Sequence, residues 1–334
     1  MRGLVVRGPG LVALEQVPDP VVVPGSVLLR PVLVGMCGTD LEIIDGTLDP
    51  AYVRLPLVLG HEWSGVVVDP GSSLDTPPAG TVAVVEGIVP CGHCPACLTG
   101  DTNRCSTYDE FGFVRDGAAA DLLVAPAGLV HLLAPSVSGE SAALIEPASV
   151  VQRALRRAAP PAGARVLVVG DGSVGLLAVK LLGLWAPASI TLLGARPEQA
   201  ALAASAGADV FVTRADQAGT GFDLVVEAAG AAVAVSVALQ SAGRGGTVLL
   251  LGLAGTGATA DLPIDDLVNG DVTVTGSFSY TRSAWAEVVD LLNSGRLDLG
   301  FLVTHRYPLA DFAAALACLR APVGARGKVI LEIA

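Results

Sequence analysis

Two sets of residues in this chain have the types and spacing to hold metal. Cys91, Cys94, Cys97 and Cys105 fall in one short polar stretch, CGHCPACLTGDTNRC, of a chain with only six cysteines. Two residues between successive thiols let a loop fold around one ion, and the fourth thiolate closes a tetrahedron. In a chain that opens without a secretory pattern, such a cluster reads as metal ligands before it reads as a disulfide framework. Four thiolates leave no position for an exchangeable ligand, so the expected role is structural, with His93 a solvated loop residue. The second set is Cys37 in GMCGTDLE, His61 and Glu62 in LGHEWSG, and Glu146 in LIEPASV. Cys37, His61 and Glu146 each lie directly beside glycine or proline. One thiolate, one imidazole and one carboxylate make a zinc site with room for an exchangeable oxygen. In a regular strand His61 and Glu62 would face opposite sides. Both reach one ion only if the chain bends after Gly60, which glycine permits; otherwise Glu146 supplies the carboxylate, directly or through water.

A third constellation is Gly170, Gly172 and Gly175, in ARVLVVGDGSVGLLAVKLL. The first glycine allows a tight turn, the second lets a pyrophosphate approach the backbone, and the third lets helix and strand pack closely. Ser173 and Val174 open the helix, whose free amides suit phosphate. A methyltransferase would show a similar turn, but the strand–turn–helix context favours a dinucleotide. Leu251 and Phe278, ending later strands, complete the candidate cofactor contacts. Selectivity lies at the end of the second strand, where an NAD-binding unit carries Asp or Glu for the ribose. Here the strand ITLL ends in Gly194, Ala195 and Arg196. With no carboxylate to repel a 2′-phosphate and a guanidinium to bind one, NADP(H) is expected over NAD(H).

These residues need two kinds of scaffold. Residues 1–147 hold short Val/Leu strands broken by Pro and Gly (SVLLRPVLVGMCGTD, SGVVVDPG, GTVAVVEG), the pattern of an all-β, barrel-like domain. The cysteine lobe, at about 90–106, interrupts it. Over 148–280 the rhythm is strand, turn, helix, which predicts a doubly wound parallel sheet. The short link between DVFVT and FDLVV reduces one crossover helix to a turn. Residues 281–334 add a helix, SAWAEVVDLLNSG, and closing strands ending in GKVILEI. The length of 334 residues suits about two domains. No apolar run approaches membrane-spanning length, and a net charge of −12 opposes a nucleic-acid partner. A cytoplasmic protein is expected.

GxCGTDxE, GHEWSG, the four-cysteine lobe and GxGxxG, in this order and spacing, resemble the zinc-dependent medium-chain dehydrogenases over nearly the full length. The resemblance implies an α/β protein with a GroES-like catalytic domain, completed by the C-terminal segment, around a Rossmann domain. It also implies two zinc ions per chain, one catalytic on Cys37 and His61 with Glu62 or Glu146, and one structural on the lobe. It further implies a small alcohol or ketone substrate and a homo-oligomer, dimer or tetramer. CGTDLEI and IEP are most similar to the polyol, glucose and threonine branch, and GFVRDGAAADLLVAP resembles aminocyclitol dehydrogenases. GARP resembles the second-strand end of NADP-dependent bacterial secondary-alcohol dehydrogenases. Where that branch often has a relay histidine, Glu42 stands here, so Thr39 is the candidate for the first proton-relay hydroxyl. Cys318 and His305 match no motif. Other readings are a reductase of a small hydrophobic ketone, a zinc-free enone reductase, which would lack Cys37 and the lobe, and a zinc-ribbon binding module, which leaves the glycine turn unexplained.

Overall fold

The computed structural model of the chain describes residues 1–71, 77–321 and 323–333. They form two compact units. The first comprises Met1–Glu146, Thr281–Val323 and Lys328–Ala334, and the second comprises Pro147–Tyr280 and Gly324–Gly327.

The first unit opens with strands β1 (Arg2–Gly8), β2 (Leu11–Gln16), β3 (Ser26–Met36), β4 (Leu57–Val58), β5 (Glu62–Asp69), β6 (Val82–Val85), β7 (Leu123–Pro126) and β8 (Val130–Leu132). The chain then builds the second unit with β9 (Arg165–Val169), β10 (Ser189–Leu193), β11 (Val210–Val212), β12 (Phe222–Glu227), β13 (Ala242–Leu250) and β14 (Thr273–Gly276). It returns to the first with β15 (Val303–Pro308) and β16 (Lys328–Glu332).

β3 is the spine of the first unit. It pairs antiparallel with β5 along one edge and, along the other, with β7 near its start and β16 near its end, in the sheet β15-β16-β3-β5-β6-β8 with β7 off that path. A separate three-stranded sheet runs β2-β1-β4. Val34, Met36, Leu59, Trp63, Val329 and Leu331 meet in one buried cluster. Each such side chain contributes about 1.5–3 kcal/mol on leaving water, and together they fix the register in which β3 ends at Cys37. The sequence patterning there predicts strands alone, yet a helix, Gly38–Asp45, follows Cys37 directly. Asp40 is its third residue, and the Asp40 carboxylate accepts from the Cys37 amide at 2.8 Å, a capping box that starts the helix.

The second unit has the strand order β11-β10-β9-β12-β13-β14, all parallel. Val166, Leu167 and Val168 of β9 are fully buried, as a strand covered by helices on both faces requires. The crossover between β11 and β12 is reduced to the one-turn helix Ala215–Ala218, as the short link predicts. A doubly wound parallel sheet in one unit and a β-rich first unit make up the α/β architecture expected from the sequence. Among the described residues, no helix is long and apolar enough to cross a membrane.

Candidate functional site

The lobe stands on one turn of helix, Pro95–Leu98, which Cys94 caps by accepting the Cys97 amide at 3.4 Å. The Cys91 amide donates to the Cys105 sulfur at 3.3 Å. The four Sγ atoms lie within 4.8 Å of one another, and Cys91 and Cys97 are 3.9 Å apart. A disulfide requires about 2.05 Å, whereas tetrahedral Zn–S bonds of ~2.3 Å place sulfurs about 3.8 Å apart. The charges agree. Amides of Ser106 and Cys97 pull the Cys94 thiol down to about 5, while burial and then neighbouring thiols push Cys97 up to about 12. A cluster that ionises one thiol and holds the next protonated lacks a positive partner, which a divalent cation supplies. His93 is exposed, with Nδ1 2.8 Å from the Cys91 carbonyl oxygen.

The second metal set gathers at the ends of two strands. Cys37 follows β3, and His61 and Glu62 lie at the start of β5. Gly60 takes φ +103°, the bend the adjacent pair needs; a side chain there would collide with the Ala119 amide nitrogen at 2.7 Å. Ligand atoms of Cys37, His61 and Glu62 lie within 4.8 Å of one another. Glu146 is not part of that set, although it is near enough to feel their charge: burial first, and then Glu62, push its carboxyl up to about 8. The Thr39 hydroxyl oxygen is 3.7 Å from the Cys37 sulfur.

Several residues here carry no role in the sequence reading. Asp40 is fully buried, and its Oδ1 lies 3.5 Å from His61 Nδ1. A carboxylate behind one ring nitrogen orients the imidazole and leaves Nε2 for a metal. Burial opposes protonation of His61, but Asp40 and then Cys37 raise it well above its ordinary value. A site that draws a proton this strongly accepts a metal cation in its place. The Phe113 ring packs 4.9 Å from the His61 ring. Glu110 is buried and takes the Tyr108 hydroxyl proton as a hydrogen bond, with its carboxyl raised chiefly by burial. Most telling is Lys328, the first residue of β16, which is 2% exposed and pairs with the Glu62 carboxylate. Gly35, opposite Glu62 on β3, makes room for the pair, since a Cβ there would meet Glu62 Oε2 at 2.5 Å and Lys328 Cε at 2.9 Å. A lysine opening the buried run VIL in GKVILEI is the available signal.

Breaking a buried ion pair on one side typically costs about 3–5 kcal/mol, because the remaining charge is stranded. Lys328→Met is therefore expected to destabilise the metal-free protein by about that amount, read as a lower urea midpoint for the first unit. An unchanged midpoint would mean that Glu62 finds another counter-charge.

In the second unit the glycine turn joins β9 to the helix Ser173–Leu182. Gly170 takes φ +116°, and a side chain there would meet the Ala229 amide at 2.7 Å. A Cβ at Gly175 would overlap the Gly170 carbonyl oxygen, so helix and strand touch only because it is glycine. Nothing lies within 4 Å of a Cβ built on Gly172, which leaves open space over the helix start where a pyrophosphate would approach. Ser173 donates to the Gly327 carbonyl at 3.0 Å. Leu251 follows β13, its amide bonded to the Glu227 carbonyl at 2.9 Å, and Phe278 is exposed after β14. These features fit a dinucleotide.

One expectation needs correcting. The sequence shows no acid at the end of β10, but the structure places one there: Asp171, from within the glycine turn. Its Oδ2 accepts the Ala195 and Arg196 amides at 3.0 and 3.2 Å. Arg196 is accordingly not a free surface arginine. Its Nη2 lies 3.9 Å from Asp171 Oδ1, and its Nη1 donates to the Gly324 carbonyl at 3.4 Å. Proximity across a parallel sheet, invisible in linear spacing, brings the two together.

Comparison with known proteins agrees with this geometry. Residues 23–135 match the family described as Alcohol dehydrogenase GroES-like domain, and residues 173–294 match Zinc-binding dehydrogenase. The chain is 33% identical to an L-threonine 3-dehydrogenase of Streptomyces coelicolor, covering 99% of each chain. It is 31% identical to an erythritol/L-threitol dehydrogenase of Mycolicibacterium smegmatis, covering 95% of this chain and 93% of that one. A Sinorhizobium meliloti protein solved with NADP bound superposes with a TM-score of 0.91 at 25% identity, over 99% of each chain.

Proposed function

This chain belongs to the zinc-binding alcohol dehydrogenase family, and from that premise we propose that it moves a hydride between NADP(H) and a secondary alcohol or polyol. The observation that carries the reading is the convergence of Cys37, His61 and Glu62 within 4.8 Å, with Asp40 behind the imidazole. Zinc held there would supply Lewis acidity toward a substrate hydroxyl. The protein's own part is to hold and neutralise. Cys37 and Glu62 bring negative charge, Lys328 offsets part of it, and Asp40 fixes the ring of His61. Thr39 is the candidate hydroxyl for passing the substrate proton outward. Glu146, kept partly protonated by its surroundings, and the Tyr108–Glu110 pair are hydrogen-bonding groups suited to further substrate hydroxyls. A second zinc on the lobe brings the proposed count to two per chain.

The relatives named for threonine and for erythritol or threitol support a substrate among small polar secondary alcohols, sugar- or cyclitol-like. NADP(H) is supported by Arg196 at the end of β10 and by the NADP-bound neighbour. A homo-oligomer, dimer or tetramer, is part of the same proposal. The test is a panel of secondary alcohols, sugars and cyclitols with zinc-loaded protein, reading NADPH formation by the absorbance of the reduced nicotinamide. Turnover of at least one polyol class is expected. Turnover confined to small apolar ketones would replace the substrate class, and no nicotinamide reaction with any of them would remove the proposal.

A further inference from the structure

We infer that Asp171 sets the cofactor selectivity of this protein: its carboxylate stands in for the acid that β10 lacks and opposes a 2′-phosphate that Arg196 attracts. The inference rests on the reading that the glycine turn binds a nicotinamide dinucleotide.

The geometry is specific. A Cβ built on Gly194 would lie 2.6 Å from Asp171 Oδ2 and 2.8 Å from Asp171 Cβ. The carboxylate thus fills the volume that a strand-end side chain would occupy, and Gly194 is glycine because that space is taken. Asp171 is 9% exposed and is held by two backbone amides, so it is a fixed charge rather than a mobile one. Arg196 is anchored on the other side. Its Nη1 reaches Gly324, and the segment carrying that carbonyl is tied down by Gln199, whose Nε2 donates to the Arg326 carbonyl at 2.9 Å and whose Oε1 accepts the Arg326 amide at 2.8 Å. Gln199 Nε2 also donates to the Asp171 carbonyl at 2.6 Å, joining the turn, the strand end and the returning segment.

An anion that pairs with Arg196 must therefore come close to Asp171, because the two side chains lie 3.9 Å apart. A 2′-hydroxyl meets no such repulsion. One nearby charge changes an ionic equilibrium by roughly ten- to a thousandfold; two amides and the guanidinium compensate Asp171, so the lower end applies. Selectivity for NADP(H) is accordingly modest in the unmodified protein, and NAD(H) is also bound.

The test is Asp171→Asn, which keeps a carbonyl oxygen for the Ala195 and Arg196 amides and removes the charge. Binding of NADPH and NADH is measured by nicotinamide fluorescence, and binding of 2′,5′-ADP and 5′-AMP by calorimetry, which isolates the adenosine end from turnover. The ratio of NADPH to NADH affinity is expected to rise about tenfold, with the same rise in the ratio of 2′,5′-ADP to 5′-AMP. An unchanged ratio, or a fall, overturns the inference. Should the asparagine variant not fold, Asp171→Ser retains one acceptor for the Ala195 amide and carries the same expectation. Failure of the unmodified protein to bind either dinucleotide is a different result: it removes the dinucleotide reading itself.

Discussion

His61→Ala is expected to lower turnover by about a thousandfold or more while leaving NADPH affinity within about twofold. The imidazole is the neutral ligand of the proposed zinc set, and Asp40 is positioned to hold it. Losing it leaves Cys37 and Glu62, with Lys328 already drawn to the carboxylate, too few donors for a tight site. Lewis-acid assistance is worth several kcal/mol, and each ~1.36 kcal/mol is tenfold in rate. The glycine turn belongs to the second unit and shares no residue with this set, which is why binding of the nucleotide should survive. Metal content by mass spectrometry separates the causes, with a fall from about two zinc ions per chain to about one expected. Full turnover, or equal loss of NADPH binding, would show that the site has been placed in the wrong residues.

Cys94→Ser should have the opposite signature. Cys94 caps the helix Pro95–Leu98, and the Ser106 and Cys97 amides pull its thiol down to about 5. Serine keeps the cap but is a poor zinc ligand, so one zinc per chain should be lost and the remaining thiols left without a counter-charge. A closed structural site contributes folding energy directly. The expected result is a melting temperature lower by several degrees, roughly 2–4 °C for each kcal/mol in a unit of this size, with the zinc-loaded fraction at first retaining its turnover per active site. A stable variant that had lost turnover would move the catalytic ion to the lobe.

Much of this was legible before the fold was known, for a physical reason. Candidate metal ligands and phosphate-binding turns are picked out by residue type and local spacing, so the lobe, Cys37, His61 and the three glycines stand out in the sequence. The parallel sheet is equally plain, because strands such as β9 are buried on both faces and read as unbroken apolar runs. Groups that act through another residue are not legible in this way. Asp40 lies inside the motif around Cys37, yet its approach to His61 depends on β3 and β5 pairing. Lys328 is far from Glu62 in sequence, and only the place of β16 beside β3 joins them. Asp171 occupies a variable position of the glycine motif, and its effect is exerted on the neighbouring strand. The helix after Cys37 was a missed local signal: Asp40 at its third position is a capping residue that the strand-like patterning before it obscured.

The place of β16 also bears on how the chain is made. Met36 pairs with Val329 and Gly35 with Ile330, so the central strand of the first unit waits, during synthesis, for a partner that emerges after the whole second unit. Most of that second unit, Pro147–Tyr280, is one continuous stretch and can close around its own sheet as it leaves the ribosome. Until then β3 presents an open edge, the kind of surface that invites pairing with the wrong chain. Glu62 meanwhile has no lysine. The nascent protein thus carries a finished second unit while its first is still incomplete, and its need for chaperones should be concentrated on the part that was translated first.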